Sequence, residues 1–151
     1  MRRSRHMKNY KALAKLRKQQ FDRAEQELAL ANARLNLLYE KKESLRADER
    51  AVEPPVRGTG LQLGGVISHK RAIKRAIEAL ELEIDAARRL KEEKERRLKA
   101  AHIAWEQAKS IESQALKLLM EKEKRATQNR LDEIASQRFW RDRNEWEGER
   151  S

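Results

Sequence analysis

The sequence predicts an all-α chain, a two-helix antiparallel coiled-coil hairpin with a longer C-terminal helix that overhangs the first. Three observations carry this. Apolar residues recur at alternating three- and four-residue steps through two long segments. Both prolines and four of the five glycines crowd into the single window Pro54–Gly65 between them. Charged residues make up 40% of a chain with only two Phe, two Tyr and three Trp, too little bulk for a thick globular core.

In the first segment Phe21, Leu28, Leu35, Lys42 and Glu49 hold one seam position and Ala24, Ala31, Leu38, Leu45 and Val52 the other. The second segment repeats the pattern: Val66, Ile73, Leu80, Ala87, Lys94, Ala101, Ala108 and Ala115 alternate with Lys70, Ile77, Ile84, Lys91, Leu98, Trp105, Glu112 and Leu119. Such spacing keeps side chains on one narrow stripe, and two stripes bury each other by wrapping as a left-handed coiled coil. One amphipathic helix per segment, packed into a larger bundle, is the alternative. The window between them favours the hairpin, because proline lacks an amide donor and glycine permits the backbone angles of a reversal.

The expected organisation is a disordered N-terminus or expression remnant over residues 1–7, with a second methionine at Met7, a first helix over 8–52 and a Pro/Gly-rich turn over 53–65. A second helix over 66–146 and a disordered tail over 147–151 complete it. At 1.5 Å per residue the helices span about 65 and 120 Å. If Val52 faces Val66, residue n faces residue 118 minus n, and the first helix runs out opposite Ala108 to Ser110. Beyond that point the stripe slips, continuing through Met120, Thr127, Leu131 and Ile134. A register change is expected where α-helical pairing gives way to a different partner, with plain fraying of a poorly packed end as the alternative.

The formal net charge is +11. Residues 1–53 hold 14 basic against 8 acidic side chains, residues 66–110 hold 12 against 8, and residues 111–151 balance at 9 each. An acidic partner suits this distribution. With no cysteine there is no disulfide or thiolate chemistry, which fits a reducing cytosol. No apolar run approaches the roughly 20 residues of a membrane span, and none follows Met1 in the manner of a secretory signal.

Little in the chain suggests chemistry. His6, His69 and His102 are too scattered to share a metal, and the carboxylates Glu92, Glu93 and Glu95 stand among lysines and arginines as a solvated face with Glu92–Arg96 and Glu95–Lys99 pairs. The run Gly58 to Gly64 lacks the spacing and the lysine of a phosphate loop. No enzyme, metal or cofactor is expected. The basic cluster Lys70, Arg71, Lys74 and Arg75 reads either as a docking patch or as an ordinary solvated face. Trp105 belongs to the seam. Leu131, Ile134, Phe139, Trp140 and Trp146 gather where the first helix no longer reaches, as anchors for another protein or as disordered decoration.

The segment Asn129-Arg130-Leu131-Asp132-Glu133-Ile134-Ala135-Ser136-Gln137-Arg138, near the end of a longer second helix, resembles the FliJ family of flagellar type III export stalk proteins. Ile73, Ile77, Leu80 and Ile84 match the family's apolar spacing, while Ile73 and Ala76 stand where many members carry aromatic residues. The resemblance covers nearly the whole chain from Met7. It implies a non-enzymatic protein similar to the central stalk of rotary ATPases, cytoplasmic and peripheral at the inner membrane through its partners. Those partners are a hexameric flagellar export ATPase, the cytoplasmic domain of the export gate, and flagellar export chaperones. The implied ATPase contacts are Leu131, Asp132, Glu133, Ile134 and Arg138; the implied gate or chaperone contacts are Ile73, Lys74, Ile77 and Leu80. The stalk of a virulence injectisome is an alternative, and a basic nucleic-acid- or ribosome-associated coiled coil a second, although the leading reading expects no nucleic acid.

Overall fold

A computed structural model describes residues 2–52, 58 and 60–150, and these are helical almost throughout: α1 spans Arg2–Ala51 and α2 spans Gly60–Arg150. The two form an antiparallel helical hairpin. α1 ends where the sequence requires, since a residue preceding proline is pushed out of the helical region and Pro54 and Pro55 follow closely. Its last turn tightens, with the Val52 amide donating to the Glu49 carbonyl at 3.4 Å, and Arg50 there complements the carbonyl end of the dipole.

The chain divides into two compact units. In the unit Arg17–Ala104 the helices run antiparallel, partners on α2 rising in number as those on α1 fall: Phe21 meets His102 with ring centroids 5.5 Å apart, Glu27 pairs with Lys94, and Lys42 with Glu81. Leu35, Leu38, Leu80, Ile84 and Ala87 form the buried cluster, with Tyr39 and Leu45 packed against it. Ile84, 2% exposed, is its most covered member. At the cluster's edge the Arg88 Nε donates to the Tyr39 hydroxyl at 2.7 Å while its guanidinium lies 5.5 Å from the ring centre. Tyr39 thus buries its ring and keeps its polar end satisfied.

In the unit Met1–Leu16 with Trp105–Ser151, Ala14 and Ala108 are buried. His6, Met7 and Tyr10 of α1 line a shallow notch with Ala115, Leu118, Leu119 and Lys122 of α2. Trp105, half-buried, holds the Lys109 ammonium 4.0 Å above its ring. From Glu121 to Glu149 every residue is exposed.

Each seam position named from the sequence is buried or half-buried, on α1 from Phe21 to Val52 and on α2 from Val66 to Leu119. The same spacing continues upstream through Met7, Tyr10, Ala14 and Arg17. The register differs from expectation. The pairs Phe21–His102, Lys42–Glu81, Glu27–Lys94 and Tyr39–Arg88 have residue numbers that sum to between 121 and 127, so residue n lies opposite a residue three to nine positions further along α2 than 118 minus n. Together with a first helix that reaches back to Arg2, this moves the end of pairing from Ala108–Ser110 to the neighbourhood of Lys122.

The cause lies at the bend. Residues 60–65, expected in the turn, are the first residues of α2, and Gly60, Gly64 and Gly65 carry no positive φ. Leu61, Gln62 and Leu63 are good helix formers, and the glycines join their helix rather than reversing the chain. Residues 53–57 and 59 of the expected turn lie outside the described residues, as do Met1 and Ser151 of the expected disordered ends. Residues 2–7 and 147–150 of those ends are helical.

Two outcomes follow. Ile84→Ala lowers the unfolding free energy by about 2–5 kcal/mol through lost burial and a residual cavity, read as a lower urea midpoint. A Cβ built at Gly64 or Gly65 meets no atom within 4 Å, so Gly64→Ala/Gly65→Ala raises stability by about 1–2 kcal/mol in thermal unfolding, whereas a turn role for these glycines gives a loss.

Candidate functional site

From Glu121 to Glu149, α2 is exposed at every position. On a helix, residues at i, i+3 and i+7 share a face; Leu131, Ile134 and Arg138 therefore line one side, with Leu131 56% and Ile134 51% exposed. Ala135 extends the stripe, and Phe139 and Trp146 flank it. Asp132 and Glu133, assigned to the same contact from the sequence, project to other sides of the helix. Asp132 accepts from the Gln128 amide at 3.3 Å. The five residues thus divide into an apolar and cationic face and a separate acidic shoulder.

Local contacts support the helix without α1. The Thr127 hydroxyl donates to the Glu123 carbonyl at 2.9 Å, and Arg143 pairs with Glu147 at 3.5 Å while lying 5.4 Å from the Trp140 ring centre. Trp140 meets Phe139 edge-on, with centroids 6.2 Å apart, but points away from the Leu131 face. A helix without tertiary packing depends on such i,i+4 pairs, worth about 0.2–0.5 kcal/mol each. Seven basic and seven acidic residues alternate between Glu123 and Arg150, so the apolar stripe sits in a field of no net sign.

The second set of sequence-assigned residues is placed differently. Ile73, Ile77 and Leu80 are buried, and Lys74 alone of the four is exposed. Those three isoleucine and leucine side chains are seam residues of the heptad itself, covered in the closed hairpin. Around Lys74, the exposed Arg71 and Arg75 went unassigned to a partner, although the run Lys70 to Arg75 marked them.

Between helices the electrostatics are local. Lys94 occupies a seam position with its side chain 18% exposed and donates to the Glu27 Oε2 at 2.9 Å. That hydrogen bond, followed by the attraction of the same ammonium, holds the Glu27 carboxyl below its ordinary value of 4.5. Along α2 in this stretch the pairs are Lys91–Glu95, from a seam lysine, and Glu93–Arg97, a different selection from Glu92–Arg96 and Glu95–Lys99. Among the described residues no group of three or more His, Cys, Asp or Glu is placed to hold a metal ion, and no helix is long and apolar enough to cross a membrane.

A family model described as Flagellar FliJ protein matches residues 7–144. No curated protein and no solved structure gives a match.

A depressed carboxylate pKa contributes stability that is present above the unfolded value and lost as pH falls through the folded one. Glu27→Gln therefore lowers the melting temperature at pH 7, and the gap from the parent chain closes as pH falls below about 4.5. A gap of equal size at pH 7 and pH 3 refutes a role for the charged pair.

Proposed function

The chain belongs to the FliJ family, a component of flagellar protein export, and from that premise we propose that it is the non-catalytic stalk of the export apparatus. In this reading the free end of α2 enters the pore of the hexameric export ATPase, the Lys74 region meets the cytoplasmic domain of the export gate, and the chain escorts export chaperones. Its association with the inner face of the membrane then follows from those partners.

The observation that carries the reading is the run from Glu121 to Glu149, helical and exposed on every side. An apolar stripe costs solubility unless something covers it, and Leu131, Ile134 and Phe139 stand where α1 supplies nothing to do so. Interface energy concentrates in a few such anchors surrounded by polar groups, and Arg138 beside them adds a charged hydrogen-bond donor of the kind enriched at hot spots. Asp132 and Glu133, on other faces, suit a ring that surrounds the helix and touches it from several directions. A stalk also needs stiffness along its axis, which continuous backbone hydrogen bonding gives a helix without any catalytic group.

Leu131→Asp/Ile134→Asp abolishes co-purification with the hexameric export ATPase while helicity by circular dichroism stays within a few per cent of the parent. Retained binding by a fully helical variant refutes the contact. Lys74→Glu, tested in parallel against the gate's cytoplasmic domain, leaves the ATPase contact unchanged.

A further inference from the structure

At the opposite end of α2, apolar and basic side chains are exposed together; Lys70 also belongs to the seam and Lys74 to the gate contact proposed above, whereas Leu61, Leu63, Ile67, Arg71 and Arg75 serve neither. Leu61 is 90% exposed, and Leu63 and Ile67 are 47% and 44% exposed, in the first two turns of the helix. Lys70, Arg71, Lys74 and Arg75 follow within the next two turns, of which Arg71, Lys74 and Arg75 are exposed. No acidic residue occurs from Pro54 to Ile77. The last turns of α1 offset this charge only in part, because Arg46 pairs with Glu43 and Arg50 stands against Asp48 and Glu49, a surplus of one negative charge against four cations.

We propose that residues 60–77 dock directly on an anionic phospholipid surface, with Leu61, Leu63 and Ile67 entering the headgroup layer and the basic residues behind them binding lipid phosphates. Leu63, Ile67, Lys70 and Lys74 recur at i, i+4, i+7 and i+11 and so line one side of α2, with Arg71 beside them. Leu61 projects from another side, which makes the apolar end one that enters tip first. At 1.5 Å per residue the step from Ile67 to Arg71 is about 6 Å, comparable with the depth of the headgroup region on one side of a bilayer. Apolar insertion combined with cations over phosphates is the chemistry of surface-bound amphipathic helices.

The leucines are what separate this occupant from nucleic acid. Duplex phosphates draw on cations alone, and a run with no Phe, Tyr or Trp between Leu61 and Arg75 offers single strands no stacking group but His69. A lipid surface accepts both halves of the patch at once. The inference does not rest on the stalk reading, since vesicles contain neither ring nor gate.

The test is co-sedimentation of the full chain with vesicles of phosphatidylcholine alone and of equal parts phosphatidylglycerol and phosphatidylcholine. The parent chain sediments with the anionic vesicles only. Arg71→Gln/Arg75→Gln, which spares Lys74, weakens that binding about 25-fold, taking each cation near the surface as worth about fivefold. Leu61→Gln/Leu63→Gln, which keeps helix propensity and net charge, weakens it about tenfold or more. Failure of the parent to bind anionic vesicles overturns the proposal. Unchanged binding by the leucine variant overturns it too, by reducing the effect to adsorption of a +11 chain. Tighter binding of the parent to short duplex DNA, dependent on the arginines and indifferent to the leucines, makes the patch a nucleic-acid surface and also overturns it.

Discussion

The mutual burial of two heptad stripes is the constraint from which the rest follows. Neither helix has another way to cover its apolar face, and neither has the bulk to build a core of any other kind. Burying a Leu or Ile is worth roughly 1.5–3 kcal/mol, so the cluster of Leu35, Leu38, Leu80 and Ile84 carries far more of the pairing than the alanines further along. Polar residues on the stripe are accommodated individually: Lys42 reaches Glu81 and Lys94 reaches Glu27, each crossing from one helix to the other. Ion pairs this exposed add little net stability. They discriminate among alignments, because a slide of one heptad sets these lysines against different residues.

That distinction explains what could be read from the residues alone. Period determines which face of a helix is covered, and every seam position from Phe21 to Val52 and from Val66 to Leu119 is covered to some degree. Counting back in the same steps from Phe21 also reaches Arg17, Ala14, Tyr10 and Met7, which the structure covers as well. Period does not determine register, because an antiparallel pair displaced along its axis keeps the same faces inward. Register was inferred from a presumed turn, and the presumption failed at Gly60, Gly64 and Gly65, whose permissiveness allows helix as readily as reversal.

The functional surfaces divide in the same way. Leu131 and Ile134 depart in phase from the seam, and their exposure follows from that departure. Ile73, Ile77 and Leu80 obey the seam and are buried by it, which leaves Lys74 the exposed member of that set. Membership of the FliJ family agrees with a chain organised around surfaces rather than a pocket.

Side-chain size along the stripe has a mechanical consequence. The buried Leu and Ile side chains, Leu35, Leu38, Ile73, Ile77, Leu80 and Ile84, all lie in the unit Arg17–Ala104, whereas in the other unit Ala14 and Ala108 are buried and the larger Tyr10, Trp105 and Leu119 are half-buried. Partly covered side chains hold a helix pair less firmly, so local opening costs less in that unit than around Ile84.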